Sequence, residues 1–123
     1  MPDFNFLLLH VTDHAASAAF YAALLGLPII EQKDDFAMLP LRDGVMLGLW
    51  ARRTVEPQSS GQSGASEIAF AAPDAAAVLA LHADWRGRGL TILQAPTAMA
   101  FGTTFVALDP DGHRLRVFAP LAG

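Results

Sequence analysis

A carboxylate, two guanidinium groups, an imidazole and an indole stand at alternate positions of short apolar stretches: Glu67, Arg114 and Arg116, His10, and Trp50. A carboxylate and a guanidinium within reach form a bidentate pair, or grip the polar edge of a ligand. An indole offers a flat stacking surface with a single N–H donor. An imidazole changes charge near neutrality and can donate or accept. Together these groups suit recognition of a planar, weakly polar molecule. Local signatures of bond-breaking are missing: there is no HExxH run, no phosphate loop and no Ser-His-Asp order. His10 and His14 have the spacing of a helical zinc pair, but the capping residues Thr12-Asp13 fall between them, so no single helix face carries both. Asp109, Asp111 and Gly112 imitate a calcium loop without its remaining ligands and read as turn chemistry.

Alternation fixes where the reactive groups point. Leu7, Leu9 and Val11 alternate with Phe6, Leu8 and His10; Val45, Leu47 and Leu49 with Met46, Gly48 and Trp50. Ile68 and Phe70 alternate with Glu67, Ala69 and Ala71; Leu115 and Val117 with Arg114, Arg116 and Phe118. Successive strand side chains point to opposite faces, so the aliphatic set makes a helix-packing face and the mixed set a pocket wall. On that wall Trp50 is expected to stack a ligand, and Gly48 to leave open space above the backbone for it. Phe101, Phe105 and Met99 follow a break at Ala95-Pro96 and are read as either core or the apolar lining of a cleft, and the run 98–102 reads as an apolar loop at an interface or pocket rim. His82 lies on a helical apolar stripe, and His113 is expected to face helices or solvent.

The elements that hold these residues repeat. A strand at 5–11 meets the cap signal Thr12-Asp13, then a helix carrying Ala16, Phe20, Ala23 and Leu24 that ends near Gly26. Strands at about 28–33, 36–41 and 45–51 follow, with turns at 33–35 and 42–44. The second half has a strand at 66–71, Pro73-Asp74 suiting a first helical turn, and Val78, Leu81, His82 and Trp85 at helical spacing up to Gly87. Strands near 90–94, 103–108 and 113–118 complete it. Both halves read βαβββ, an α+β class of two such modules, 1–55 and 65–123, joined by a Gly/Ser-rich linker at 56–64.

Composition bounds the rest. The 123 residues are 53% hydrophobic and 16% charged, which predicts a well-buried fold in one domain and hints at a self-association surface. A net charge of −4 without a concentrated basic face excludes nucleic acid as the expected partner. No stretch is long enough to span a membrane, and the N-terminus lacks a basic signal region. The absence of cysteine removes thiolate metal sites and fits a cytoplasmic location.

The paired βαβββ modules, the run Phe20-Tyr21 through Leu25-Gly26-Leu27, and Asp109-Pro110-Asp111-Gly112-His113 resemble the vicinal oxygen chelate superfamily of glyoxalases, dioxygenases and bleomycin resistance proteins. The resemblance covers essentially the whole chain and implies curled mixed sheets, usually completed by an intertwined homodimer. It also implies four inward metal ligands, whose positions fall on Phe6, Gly48, Glu67 and Arg116. A phenyl ring and a glycine offer no lone pair, and a guanidinium repels a cation, so no metal or other cofactor is expected. Leu49-Trp50, Ser66-Glu67-Ile68, the run 101–105 and the run 109–117 are closer still to metal-free, phenazine-type antibiotic resistance proteins. That implies sequestration of a planar aromatic small molecule by Trp50, Glu67, Arg116, His10, Phe6, Gly48, Met46, Phe101 and Phe118. In this arrangement Glu67 and Arg116 are expected to face each other across the pocket floor. The alternative is a metal-dependent lyase or oxygenase of the glyoxalase or dioxygenase type.

Overall fold

The first strand, β1, spans Phe6–Val11, and the burial of its residues alternates as its sequence does: Leu9 and Val11 are buried while Phe6 and Leu8 are exposed. The computed structural model describes residues 1–121. Asp13 ends the strand's run and caps helix α1, His14–Leu25, accepting a hydrogen bond from the Ala16 amide at 3.1 Å. Gly26 closes the helix in the left-handed conformation at φ 66°, its N–H returning to the Ala22 carbonyl. The buried face of α1 is Ser17, Ala18 and Tyr21. Phe20 and Leu24, the pair expected to mark it, are only half-buried, because the Tyr21 ring takes the inward position and meets Phe20 edge-on at 5.1 Å.

Three strands complete this first unit: β2, Glu31–Gln32, β3, Phe36–Arg42, and β4, Val45–Ala51. The spatial order is β1-β4-β3-β2, with β1 parallel to β4 and the other neighbours antiparallel. β2 is far shorter than the expected 28–33 strand; Pro28 has no N–H to pair, the Ile30 N–H donates to the Met38 carbonyl at 2.9 Å, and the paired register covers only Glu31 and Gln32. Helix α1 packs on β3 and β4, over Leu39, Leu47 and Leu49, all fully buried. A single 3-10 turn, Arg52–Thr54, follows β4.

The second unit repeats the plan. β5, Glu67–Ala71, leads to α2, Ala75–Gly87, then β6, Thr91–Met99, β7, Gly102–Leu108, and β8, Arg114–Pro120. Its order, β5-β8-β7-β6, is that of the first sheet, again with one parallel pair, β5 and β8. The chain divides into these two compact units after Gly61. Asp74 is the N-cap of α2 rather than part of its first turn, and its carboxylate accepts from the Ala77 amide at 2.8 Å. The core here is aromatic. The Trp85 ring meets Phe105 at 5.4 Å and Phe70 at 6.2 Å, and His82 packs edge-on against Phe105 at 5.4 Å. Burying each such large side chain stabilises the unit by about 1.5–3 kcal/mol.

One expected loop is a strand. Residues 97–99 pair with 104–102 on β7, so only Ala100-Phe101 turns. Pro96 is tolerated because β6 is the sheet's edge, where a missing N–H breaks no ladder, and register shifts flank it. No helix among the described residues is long and apolar enough to cross a membrane.

Candidate functional site

Each sheet carries its reactive residues on the face away from its helix. In the first unit the strand register lays that face out in rows: Phe6, Met46 and Pro40; then Leu8, Gly48 and Met38; then His10, Trp50 and Phe36. The indole of Trp50 is pinned. Its Nε1–H donates to the Thr54 hydroxyl at 3.1 Å, and that hydroxyl donates to Asp35 Oδ2 at 2.7 Å. The His10 ring stands edge-on to it, 6.3 Å between centroids at 86°, and His10 Nδ1 lies 2.7 Å from the Ser59 hydroxyl. Trp50 is thus a half-buried plate in a fixed orientation, with the chain around Ser59 tied to its neighbour.

Gly48 does not leave open space. It is buried, and a Cβ there would fall 2.6 Å from Leu8 Cδ2, 2.8 Å from Phe6 Cε1 and 2.9 Å from Phe36 Cζ. The missing side chain lets three neighbours fold over the β4 backbone, which makes this patch a packed apolar floor. Phe6 and Met46 belong to that floor.

In the second unit the corresponding rows are Glu67, Arg114, Leu108 and Thr91; Ala69, Arg116, Val106 and Gln94; and Ala71, Phe118, Thr104 and Thr97. Glu67 and Arg116 do not face each other across a floor. They sit on adjacent parallel strands, two residues out of register, because Ala69 is the residue paired with Arg116. From there Arg116 grips the carboxylate with both prongs, Nε to Oε1 at 2.8 Å and Nη2 to Oε2 at 3.0 Å. Its Nη1 donates to Gln94 Oε1 at 3.3 Å and to the Thr104 hydroxyl at 3.2 Å, and that hydroxyl donates to the Val117 carbonyl at 2.8 Å. Arg114 adds a weaker bond to Glu67 Oε2 at 3.3 Å. The hydrogen bond from Arg116, aided by Arg114, holds the Glu67 carboxyl below its ordinary pKa against the opposing effect of burial. The carboxylate in turn raises the pKa of Arg116.

Phe118 continues the same face of β8, and Phe101 lies at the tip of the β6–β7 turn, 44% exposed. Their rings meet at 6.3 Å and 75°, and the Arg116 guanidinium stands 5.9 Å from the Phe101 centroid. Phe105, one candidate for either core or cleft, is core. His113 and Ser63 approach within 3.4 Å beside the turn, and His14 reaches the Lys33 carbonyl at 2.7 Å, apart from the Ser59 contact of His10.

The residues that the family resemblance sets at its four metal positions do not fit a divalent cation. Phe6 and Gly48 have no donor atom, Arg116 is a cation, and both oxygens of Glu67 already accept from guanidinium groups. Among the described residues no group of three or more His, Cys, Asp or Glu side chains gathers. Gln94 and Thr104, which brace Arg116, and Phe36 and Ser59 beside Trp50 and His10 carry no local sequence signal of these contacts. Arg114 was visible in the alternation, yet its bond to Glu67 depends on the parallel register of β5 and β8.

Comparison with known proteins agrees with the topology. A family model described as the Glyoxalase/Bleomycin resistance protein/Dioxygenase superfamily matches residues 3–117. The solution NMR structure of a protein from Agrobacterium tumefaciens is 43% identical, covers 99% of this chain and 100% of its own, and superposes with a TM-score of 0.89. A glyoxalase/bleomycin resistance protein/dioxygenase from Nocardioides is 23% identical over 100% of this chain and 86% of its own, with a TM-score of 0.86. A lactoylglutathione lyase from Agrobacterium tumefaciens is 18% identical over 97% of this chain and 94% of its own, at 0.76. The last two share the fold. Among curated proteins none matches the sequence.

Proposed function

The chain belongs to the Glyoxalase/Bleomycin resistance protein/Dioxygenase superfamily, and from that premise we propose that it binds a planar aromatic small molecule, without a metal and without transforming it. The biological sense is sequestration of an antibiotic or toxic metabolite. One observation carries the reading: the single carboxylate at a family metal position is held in a bidentate grip by Arg116, so cation-binding chemistry has been traded for an internal ion pair. The half-buried Trp50 plate supports it, because a fixed indole stacks a flat ring at little entropic cost. In this reading the protein works as a homodimer in the cytoplasm; exposed apolar side chains such as Phe4 and Leu8 favour self-association.

The test is a titration of tryptophan fluorescence with phenazine and with a flavin, run beside metal analysis of the purified protein. Micromolar quenching that disappears in Trp50→Phe, with the ligand recovered unchanged, is the expected result; buried Trp85 remains as the internal reference. A divalent ion bound one per chain and lost in Glu67→Gln would overturn the reading in favour of a metal-dependent enzyme.

A further inference from the structure

We propose that residues 55–61 form a strap latched beside the Trp50 plate by the Ser59 hydroxyl on His10, and that a ligand stacks on the indole only after this latch opens. The inference deepens the binding function proposed above, as the regulation of that same plate, and rests on it.

The course of the chain is the first observation. Residues 55–61 belong to no helix or strand. The segment starts at the N–H edge of the indole, where Thr54 accepts from Trp50 Nε1 at 3.1 Å, and Val55, 6% exposed, roots it in the unit. It comes back to the same row of the sheet at His10, the register partner of Trp50 on β1, whose Nδ1 lies 2.7 Å from the Ser59 hydroxyl. The chain therefore borders the plate at both ends. Arg52 closes the loop behind it, Nη2 donating to the Gly61 carbonyl at 3.0 Å, which brings the two ends of the segment together as in a compact surface loop.

Burial is the second. Residues 56–58, 60 and 61 are exposed, and Ser59 between them is half-buried. One side chain of a solvated run is thus turned onto the face that carries the indole. Space is the third. The imidazole and indole centroids are 6.3 Å apart, with the imidazole edge-on. A fused ring system laid on the indole extends beyond it toward the imidazole, over ground that Ser59 holds. Ligand and latch exclude each other there. Losing one ordinary hydrogen bond shifts an equilibrium about threefold to tenfold, so the latch opens locally without unfolding the sheet and sets the fraction of protein able to bind.

The experiment compares the wild type with Ser59→Ala, and with Ser59→Thr as the control that keeps the hydroxyl. Acrylamide quenching needs no ligand. The Trp50 contribution, taken as the difference from the matching Trp50→Phe protein, is expected to be quenched more strongly in Ser59→Ala and as in the wild type in Ser59→Thr. Stopped-flow mixing with phenazine is expected to show association about threefold to tenfold faster in Ser59→Ala, apparent binding tighter by the same factor, and release unchanged. Arg52→Met, which cuts the tie to Gly61, is expected to move both measurements in the same direction. Equal acrylamide quenching in the wild type and Ser59→Ala, or unchanged phenazine association, would overturn the latch. Weaker phenazine binding in Ser59→Ala would also overturn it, making Ser59 a ligand contact instead. If phenazine binds none of these proteins, the proposed function fails for that ligand, and acrylamide quenching alone decides whether the strap shields the indole.

Discussion

Arg116 and Glu67 are joined by two near-parallel hydrogen bonds of 2.8 and 3.0 Å between adjacent strands, and the pair is braced from the other side by Gln94 and Thr104. The family resemblance sets Arg116 and Glu67 at two of its four metal positions. There the guanidinium supplies positive charge to the carboxylate as a metal ion would, and both carboxylate oxygens already accept from it.

The pair makes a prediction about stability and pH. With side chains 18% and 28% exposed, it is partly desolvated, and Arg116→Met is expected to cost about 1–3 kcal/mol by stranding Glu67, Gln94 and Thr104. Because Glu67 has a lowered pKa when folded, its contribution is complete above the ordinary glutamate value of about 4.3 and is lost as pH falls through the depressed value. Urea unfolding of the wild type and Glu67→Gln from about pH 2 to pH 7 measures this. The two stability curves should converge on the acid side and separate above it; curves separated by a constant amount throughout would show that the ionised carboxylate contributes nothing.

Two buried glycines should respond very differently to a methyl group. At Gly48 the added Cβ meets only the far ends of Leu8, Phe6 and Phe36, which can swing outward from an open sheet face. Gly48→Ala is therefore expected to cost about 1–2 kcal/mol, with part recovered when Leu8→Ala is combined with it. At Gly102, with φ 141°, the Cβ runs into the Ala119 carbonyl, which belongs to a paired strand and cannot move alone. Gly102→Ala is expected to cost about 3 kcal/mol or more, and no single side-chain truncation should relieve it. Denaturation midpoints of the four variants decide; additivity of Gly48→Ala with Leu8→Ala would show that the crowding at Gly48 lies elsewhere.

How much of this was readable before the structure follows from which interactions are local. The two-faced strands were legible because burial acts on every second residue, and the Asp13 and Gly26 ends of α1 because capping chemistry is written within four residues. The floor over Gly48 was not legible. Whether a glycine exposes its backbone or is roofed by neighbours depends on the register of three strands, here Leu8, Gly48 and Met38 in one row. The same holds for Glu67. Its type and face were readable, but the parallel register decides that Arg116, two residues beyond its partner Arg114, and more weakly Arg114 itself, reach it. Pro96 misled for a different reason: a proline signals a break only where its missing N–H is needed, and an edge strand does not need it.

The site also depends on the turn that leads into β8. Asp109 is 5% exposed, and its Oδ1 accepts from the Asp111 amide at 2.9 Å and the His113 amide at 2.8 Å. Its own backbone closes the same turn, the N–H donating to the His113 carbonyl and the carbonyl accepting from Gly112. Strand β8 begins at the next residue, Arg114, so this carboxylate sets where Arg114 and Arg116 enter the sheet opposite Glu67. Asp109→Ala leaves two part-buried amides without their acceptor and is expected to cost about 2–4 kcal/mol. Asp109→Asn retains an oxygen in the same place and should stay within about 1 kcal/mol, since the turn needs an acceptor rather than a charge. Urea unfolding gives both numbers, and amide chemical shifts of Arg114 and Arg116 report whether the register at Glu67 loosens in the alanine variant alone. If the asparagine variant proves as damaged as the alanine one, the charge of Asp109 and not its geometry holds the turn, and the entry of β8 is an electrostatic rather than a hydrogen-bonded device.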